Sequence, residues 1–144
     1  MKSLKVSFIE ISFFSHATED DEKVLTAVNN ILPPDLKSKV EFKKSTLRGY
    51  YGNPILFFKG TIRKNDAFQL FTHIFTNLSN LEHTSYLRDI ELYFDKGTLF
   101  LRLDKQSAFQ GAIRLGKADP IHLKIKFKGS NIKCLIETLK EIHS

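Results

Sequence analysis

Ile121, Leu123, Ile125 and Phe127 alternate with His122, Lys124, Lys126 and Lys128 without a break. Successive strand side chains point to opposite faces, so this is the pattern of a strand with one face in a core and the other in water. Leu99, Leu101 and Leu103 alternate with Phe100 and Arg102 in the same way. Such strands need a cover on one side only, and the chain carries apolar stripes at helical spacing. Ala67, Leu70, Phe71, Ile74 and Leu78 form one, Ile132, Leu135, Ile136 and Leu139 another, and Val24, Val28, Ile31 and Leu32 a third. The expected class is α+β, a mostly antiparallel sheet with helices packed on one face.

The chain of 144 residues fits a single domain, residues 1–144. With 42% hydrophobic residues and 26% charged, it can bury a core. No apolar run reaches the length of about 18 residues that suggests a membrane span. Met1–Ser7 starts a strand and lacks the apolar region and cleavage site of a secretory signal. Cys134 is alone, which excludes an internal disulfide and a cysteine-based zinc site, and a cytoplasmic location fits.

The net charge of +6 calls for an anionic partner, nucleic acid first. Its distribution sharpens that expectation. Lys37, Lys39, Lys43, Lys44, Arg48, Lys59, Arg63 and Lys64 face Glu41 alone in their segment, and a second basic stretch runs from Lys96 to Lys128. Glu19-Asp20-Asp21-Glu22 is acidic. A solvated surface with no partner is the alternative.

Taken in order, a first strand covers about Leu4–Phe14, with Leu4, Val6 and Phe8 in one phase and Ile9, Ile11 and Phe13 in the other, as a bulge would produce. Thr18 is placed to cap the first helix, which Pro33-Pro34 ends. Strands are expected over Val40–Arg48 and Ile55–Arg63, joined by the turn Gly49-Tyr50-Tyr51-Gly52-Asn53-Pro54. Asn65 or Asp66 can cap the next helix. Ser79–Arg88 reads as a short helix, followed by a hairpin of Asp89–Phe94 and Thr98–Leu103 across Asp95-Lys96-Gly97. A single helix as far as Phe94 is the alternative, because Leu87, Ile90, Tyr93 and Phe94 also fit helical spacing. Asp104 can cap a short helix that Gly111 stops, and Ser130 can cap the last one.

For catalysis the sequence offers little. His16, His73, His83, His122 and His143 never fall at metal-ligand spacing, and neither HExxH nor GxSxG occurs. His16 beside Thr18 and Glu19 could serve as a base, but a packing or capping role explains it better. Asp104 with Lys105 could form an acid–base pair, yet helix capping already accounts for the Asp. Gly49-Tyr50-Tyr51-Gly52 lacks the Lys-Ser/Thr and the helix of a phosphate loop. The expectation is a non-enzyme without metal or cofactor.

For binding it offers more. Tyr50 and Tyr51 lie in a turn flanked by basic strands, where unstacked bases could stack. Asn53 could reach a base edge, although turn formation is enough to explain it. Lys124, Lys126 and Lys128 share one strand face at about 6.6 Å per two residues, close to phosphate spacing in an extended single strand. Protection of a sheet edge is the competing account of these lysines. Arg48, Arg102, Lys105 and Arg114 are assigned to phosphates; Tyr50, Tyr51 and Gln106 are assigned to bases or riboses. Cys134 reads as inert filler.

Four segments carry a family likeness: Phe13-Phe14-Ser15-His16-Ala17-Thr18-Glu19-Asp20, Arg48-Gly49-Tyr50-Tyr51-Gly52-Asn53-Pro54-Ile55, Leu101-Arg102-Leu103-Asp104-Lys105-Gln106-Ser107-Ala108 and Asp119-Pro120-Ile121. In this order they resemble the archaeal family of RNA-binding proteins or predicted exosome subunits, over nearly the whole chain. The resemblance implies the fold of the ribosomal protein that binds 5S RNA. It also implies a partner RNA, a role in RNA processing or degradation, and possible exosome or ribosome components as neighbours. The runner-up is a scaffold module that forms a homodimer through a sheet edge and binds an acidic partner.

Overall fold

The structure, a computed structural model, describes residues 4–48, 52–129 and 131–143. Six strands form one antiparallel sheet: β1 (Val6–Ser15), β2 (Lys43–Arg48), β3 (Pro54–Arg63), β4 (Phe94–Asp95), β5 (Thr98–Leu103) and β6 (Ile121–Phe127). Their order is β2-β3-β1-β6-β5-β4. The helices are α1 (Asp21–Asn30), α2 (Lys64–Asn77), α3 (Asn80–Arg88), α4 (Ile90–Tyr93), α5 (Lys105–Phe109) and α6 (Ile132–Ile142). The chain is α+β, as its patterning predicts. No helix among the described residues is long and apolar enough to cross a membrane.

The core lies between the helices and one face of the sheet. Ile9, Ile11 and Phe13 of β1, Leu99, Leu101 and Leu103 of β5, and Ile121, Leu123, Ile125 and Phe127 of β6 are all buried there. From the helices, Leu70, Phe71, Ile74 and Phe75 of α2 and Leu135 and Leu139 of α6 meet them, each fully buried. Phe13 stacks on Phe58 with ring centres 5.1 Å apart, and Phe71 meets Phe127 edge-on at 5.6 Å. Offset and edge contacts of this kind add to the burial of aromatic area. In β1 the register against β6 shifts between Val6 and Phe8, which reconciles the two apolar phases of that strand.

Several boundaries differ from the expectation, each for a visible reason. β2 begins at Lys43, not Val40, because Val40 and Phe42 turn in to cover Gly60 of β3. A Cβ at Gly60 would lie 2.8 Å from the Phe42 ring, so the missing side chain makes room for it. α1 is capped by Asp20, which accepts from the Glu22 N–H, and not by Thr18. α2 starts directly at Lys64 without a side-chain cap, leaving Asn65 and Asp66 inside the helix. The expected Asp89–Phe94 strand is mostly helical: Ile90 is buried, Tyr93 stacks on Tyr86 at 4.6 Å, and only Phe94 and Asp95 pair with β5. Packing of the helical stripe outweighs the hairpin signal there. Asn131 caps α6, accepting from the Lys133 and Cys134 N–H groups; Ser130 lies outside the described residues. Asp104 and Gly111 do as their types suggest. Asp104 accepts from the Ser107 N–H at 2.9 Å and hydroxyl at 2.6 Å, and Gly111 takes a left-handed φ of 86°.

Candidate nucleic-acid interface

The face of the sheet away from the core is left to solvent. Strand register aligns its side chains in rows. Lys43, Lys59, Ser12, His122 and Arg102 form one row across five strands. Beside it run Thr61, Glu10, Lys124 and Phe100, then Arg63, Phe8, Lys126 and Thr98. Thr98 apart, none of these positions is buried. At about 4.8 Å between strands, the first row spans roughly 19 Å, and rows lie about 6.6 Å apart. The result is a broad basic surface that runs across five adjacent strands, β2 to β5.

The charges on it are largely unspent. Lys59 lies 3.5 Å from Glu10, and Lys126 donates to the Lys96 carbonyl at 2.9 Å. Lys43, Arg63, Arg102 and Lys124 form no ion pair among the described residues. His122 is held below the usual imidazole range by burial first and the Arg102 guanidinium second, against an opposing pull from Asp119. Phe14 and Phe57 pair across strands at 5.0 Å on this face. Phe100, also on this face, is 43% exposed and pairs with no other ring among the described residues.

Of the residues singled out from sequence, Arg102, Lys124 and Lys126 come together on this face. β6 is central, not an edge, so edge protection does not account for its lysines. Lys128 lies beyond the strand end. Arg48 closes the edge strand β2 and is exposed; Asn53 is exposed just before β3. Tyr50 and Tyr51 lie outside the described residues. Gln106 is exposed on α5, in a pocket with Glu19 and Lys23. Arg114 borders a groove of about 940 Å³ with Lys37, His73, Asn77 and Glu82, lined from the helices. Lys43, Lys59 and Arg63, named above only as part of the basic segment, and Phe100, named only for its strand phase, share this face. For Lys59, Arg63 and Phe100 the signal is the period of two within Lys59-Gly60-Thr61-Ile62-Arg63 and Phe100-Leu101-Arg102.

Lys105 requires a correction. It is only 8% exposed, and its ammonium donates to the Phe14 carbonyl at 2.8 Å, to Asp119 at 2.7 Å and to Glu19 at 3.3 Å. His16 Nε2 completes the cluster 3.2 Å from Asp119. A cation so enclosed has no free donor to offer a phosphate. His16, Glu19 and Asp119 also lie close enough together to suggest a metal site, but the Lys105 ammonium already sits against both carboxylates. Asp119 holds this position at a left-handed φ of 46°, which Asp tolerates better than most residues.

Residues 8–127 match the model of a family described as RNA binding. The chain belongs to that family. It is 36% identical over 134 residues to an RNA-binding protein of Pyrococcus abyssi, a match covering 90% of this chain and 87% of that one. Among solved structures, a DUF54 protein from Methanothermobacter thermautotrophicus is 31% identical, with a TM-score of 0.75 over 96% of this chain and 98% of its own. A DUF54 protein from Sulfolobus solfataricus is 28% identical, with a TM-score of 0.81 over 95% and 99%.

Proposed function

We propose that this member of the RNA-binding family holds RNA across the open face of its sheet and acts as a binding module without catalysis. The carrying observation is the concentration, on the open face of the sheet, of cations that form no ion pair among the described residues: Arg102 and Lys124, with Lys43 and Arg63 on the flank. Phosphate oxygens accept what these side chains donate, and each neutralised phosphate releases a counterion. The sequence between β2 and β3, with Tyr50 and Tyr51, belongs to the same proposal as an aromatic supplement. A place in RNA processing or degradation is the extension that the family resemblance supplies.

The test is RNA retention on filters over a range of salt. Arg102→Ala and Lys124→Ala should each take about 0.7 from the log–log salt slope on single-stranded RNA. Arg114→Ala and Lys37→Ala, on the groove lined from the helices, should leave the slope unchanged. Equal losses from both sides, or no retention by the wild type in low salt, would overturn the proposal.

A further inference from the structure

The geometry points to Phe100 as a base-stacking residue that makes the open face selective for single-stranded over double-stranded RNA. This inference rests on the sheet-face reading above and names its substrate class. Phe100 sits in the middle of β5 with 43% of its surface exposed. Its side chain is on the open face, so it contributes nothing to the core on the other side. No ring among the described residues pairs with its ring, whereas the rings of Phe14 and Phe57 on the same face pair with each other. Folding gives no reason for an apolar ring at this point.

Its surroundings do give one. Lys124 lies directly across on β6, and Arg102 lies two residues along the same strand face. On the other side β4 pairs only as far as Leu99, so the sheet ends at β5 beside Phe100. The ring is therefore exposed on the open face, with Lys124 and Arg102 on two of its sides, Thr98 on a third, and α4 against the β5 edge beyond. A nucleotide whose base lies on the ring brings its flanking phosphates towards Lys124 and Arg102. The backbone beneath is fixed as well: the Tyr86 hydroxyl donates to the Phe100 carbonyl. Every base has a π-face, so stacking here is tolerant of sequence. A duplex keeps its bases stacked on one another and offers the sheet face only its phosphates and minor-groove hydroxyls. Duplex RNA can thus use the cations but not the ring.

The chain has no tryptophan, so Phe100→Trp places a single indole reporter at the site. Titration with oligouridylate should quench its fluorescence. A blunt RNA duplex of equal length should bind more weakly and quench little. Phe100→Ala should bind oligouridylate about fivefold to a hundredfold more weakly at every salt concentration, with the salt slope unchanged and duplex affinity unaltered. Phe100→Trp should retain wild-type affinity, which separates stacking from damage to the fold. Retained salt-dependent binding with equal affinity for the two RNAs, or an unaffected Phe100→Ala, would overturn this inference and leave the sheet-face reading standing. Absence of RNA binding by the wild type would overturn both.

Discussion

Lys105→Ala separates a structural lysine from an RNA contact, and the geometry sets the size of the effect. The wild-type ammonium donates to one backbone carbonyl and to two carboxylates. A hydrogen bond involving a charged group contributes about 1.5–3 kcal/mol net when its surroundings are dry. Glu19 and Asp119 keep 29% and 39% of their side-chain surface in water, so solvent replaces part of what each would lose. That brings each carboxylate contact to about 1 kcal/mol. The Phe14 carbonyl adds about 1 kcal/mol. The total is about 3 kcal/mol, or a fall of about 9 °C in Tm for a chain of this size. Lys105→Met keeps most of the buried stem and should still lose most of this amount, since the charge and donors carry it. Urea and thermal unfolding read the stability, and filter binding reads the RNA salt slope of the folded variant, which should match wild type. A stability change below about half a kcal/mol with about 0.7 lost from the slope would refute the reasoning and return Lys105 to the phosphate contacts.

Two further outcomes follow from packing and protonation. Leu70 is fully buried, so Leu70→Ala should lower stability in urea by about 2–5 kcal/mol; a loss below about half a kcal/mol would contradict the α2 packing. His83 is held below its ordinary range by burial first and by the neighbouring His143 second, the two rings stacking at 3.9 Å. Its contribution is therefore fully present above pH about 6.5 and is lost as pH falls through the depressed folded value. The urea midpoint of the wild type should drop between pH 7 and pH 5, and His83→Phe should flatten that drop; an equally steep drop in the variant would exclude His83 as its source.

The sheet and its helical cover were legible because their signals are periodic and local. A strand such as Ile121–Phe127 declares both faces in seven residues, and α2 repeats its stripe along its length. Asp104 and Gly111 were legible because capping is a matter of adjacent residues. The Lys105 cluster was not. Its partners lie 91, 86 and 14 residues away, and nothing beside Lys105 in sequence announces them. The proposed interface is only partly legible in the sequence for a related reason. Each strand shows which residues share its outer face, but strand order decides which strands lie side by side. Lys59 and Lys124 join one surface only because β1 runs between β3 and β6. The segment Ile90–Tyr93 stays open between strand and helix in the sequence because four residues satisfy either period, and the Tyr86–Tyr93 stack that decides for the helix is tertiary.

The segments that carry the family resemblance acquire a physical meaning in this arrangement. His16 and Glu19 come from the first, Lys105 from the third and Asp119 from the fourth, and all of them meet at one corner. That corner ties the end of β1 to the start of α5 and to the turn before β6. Arg102 lies three residues before Lys105, and His122 three residues after Asp119, so the corner borders the row Ser12–His122–Arg102 where three strands meet. The cluster spends its charges on itself and thereby fixes the strands that present unspent charges next door. These segments are thus read as the frame of the proposed interface, with Phe14 and Arg102 among the residues that belong both to a segment and to the open face. Lys124 and Phe100 stand on the strands that this frame aligns, outside all four segments, and it is there that the choice of RNA should be made.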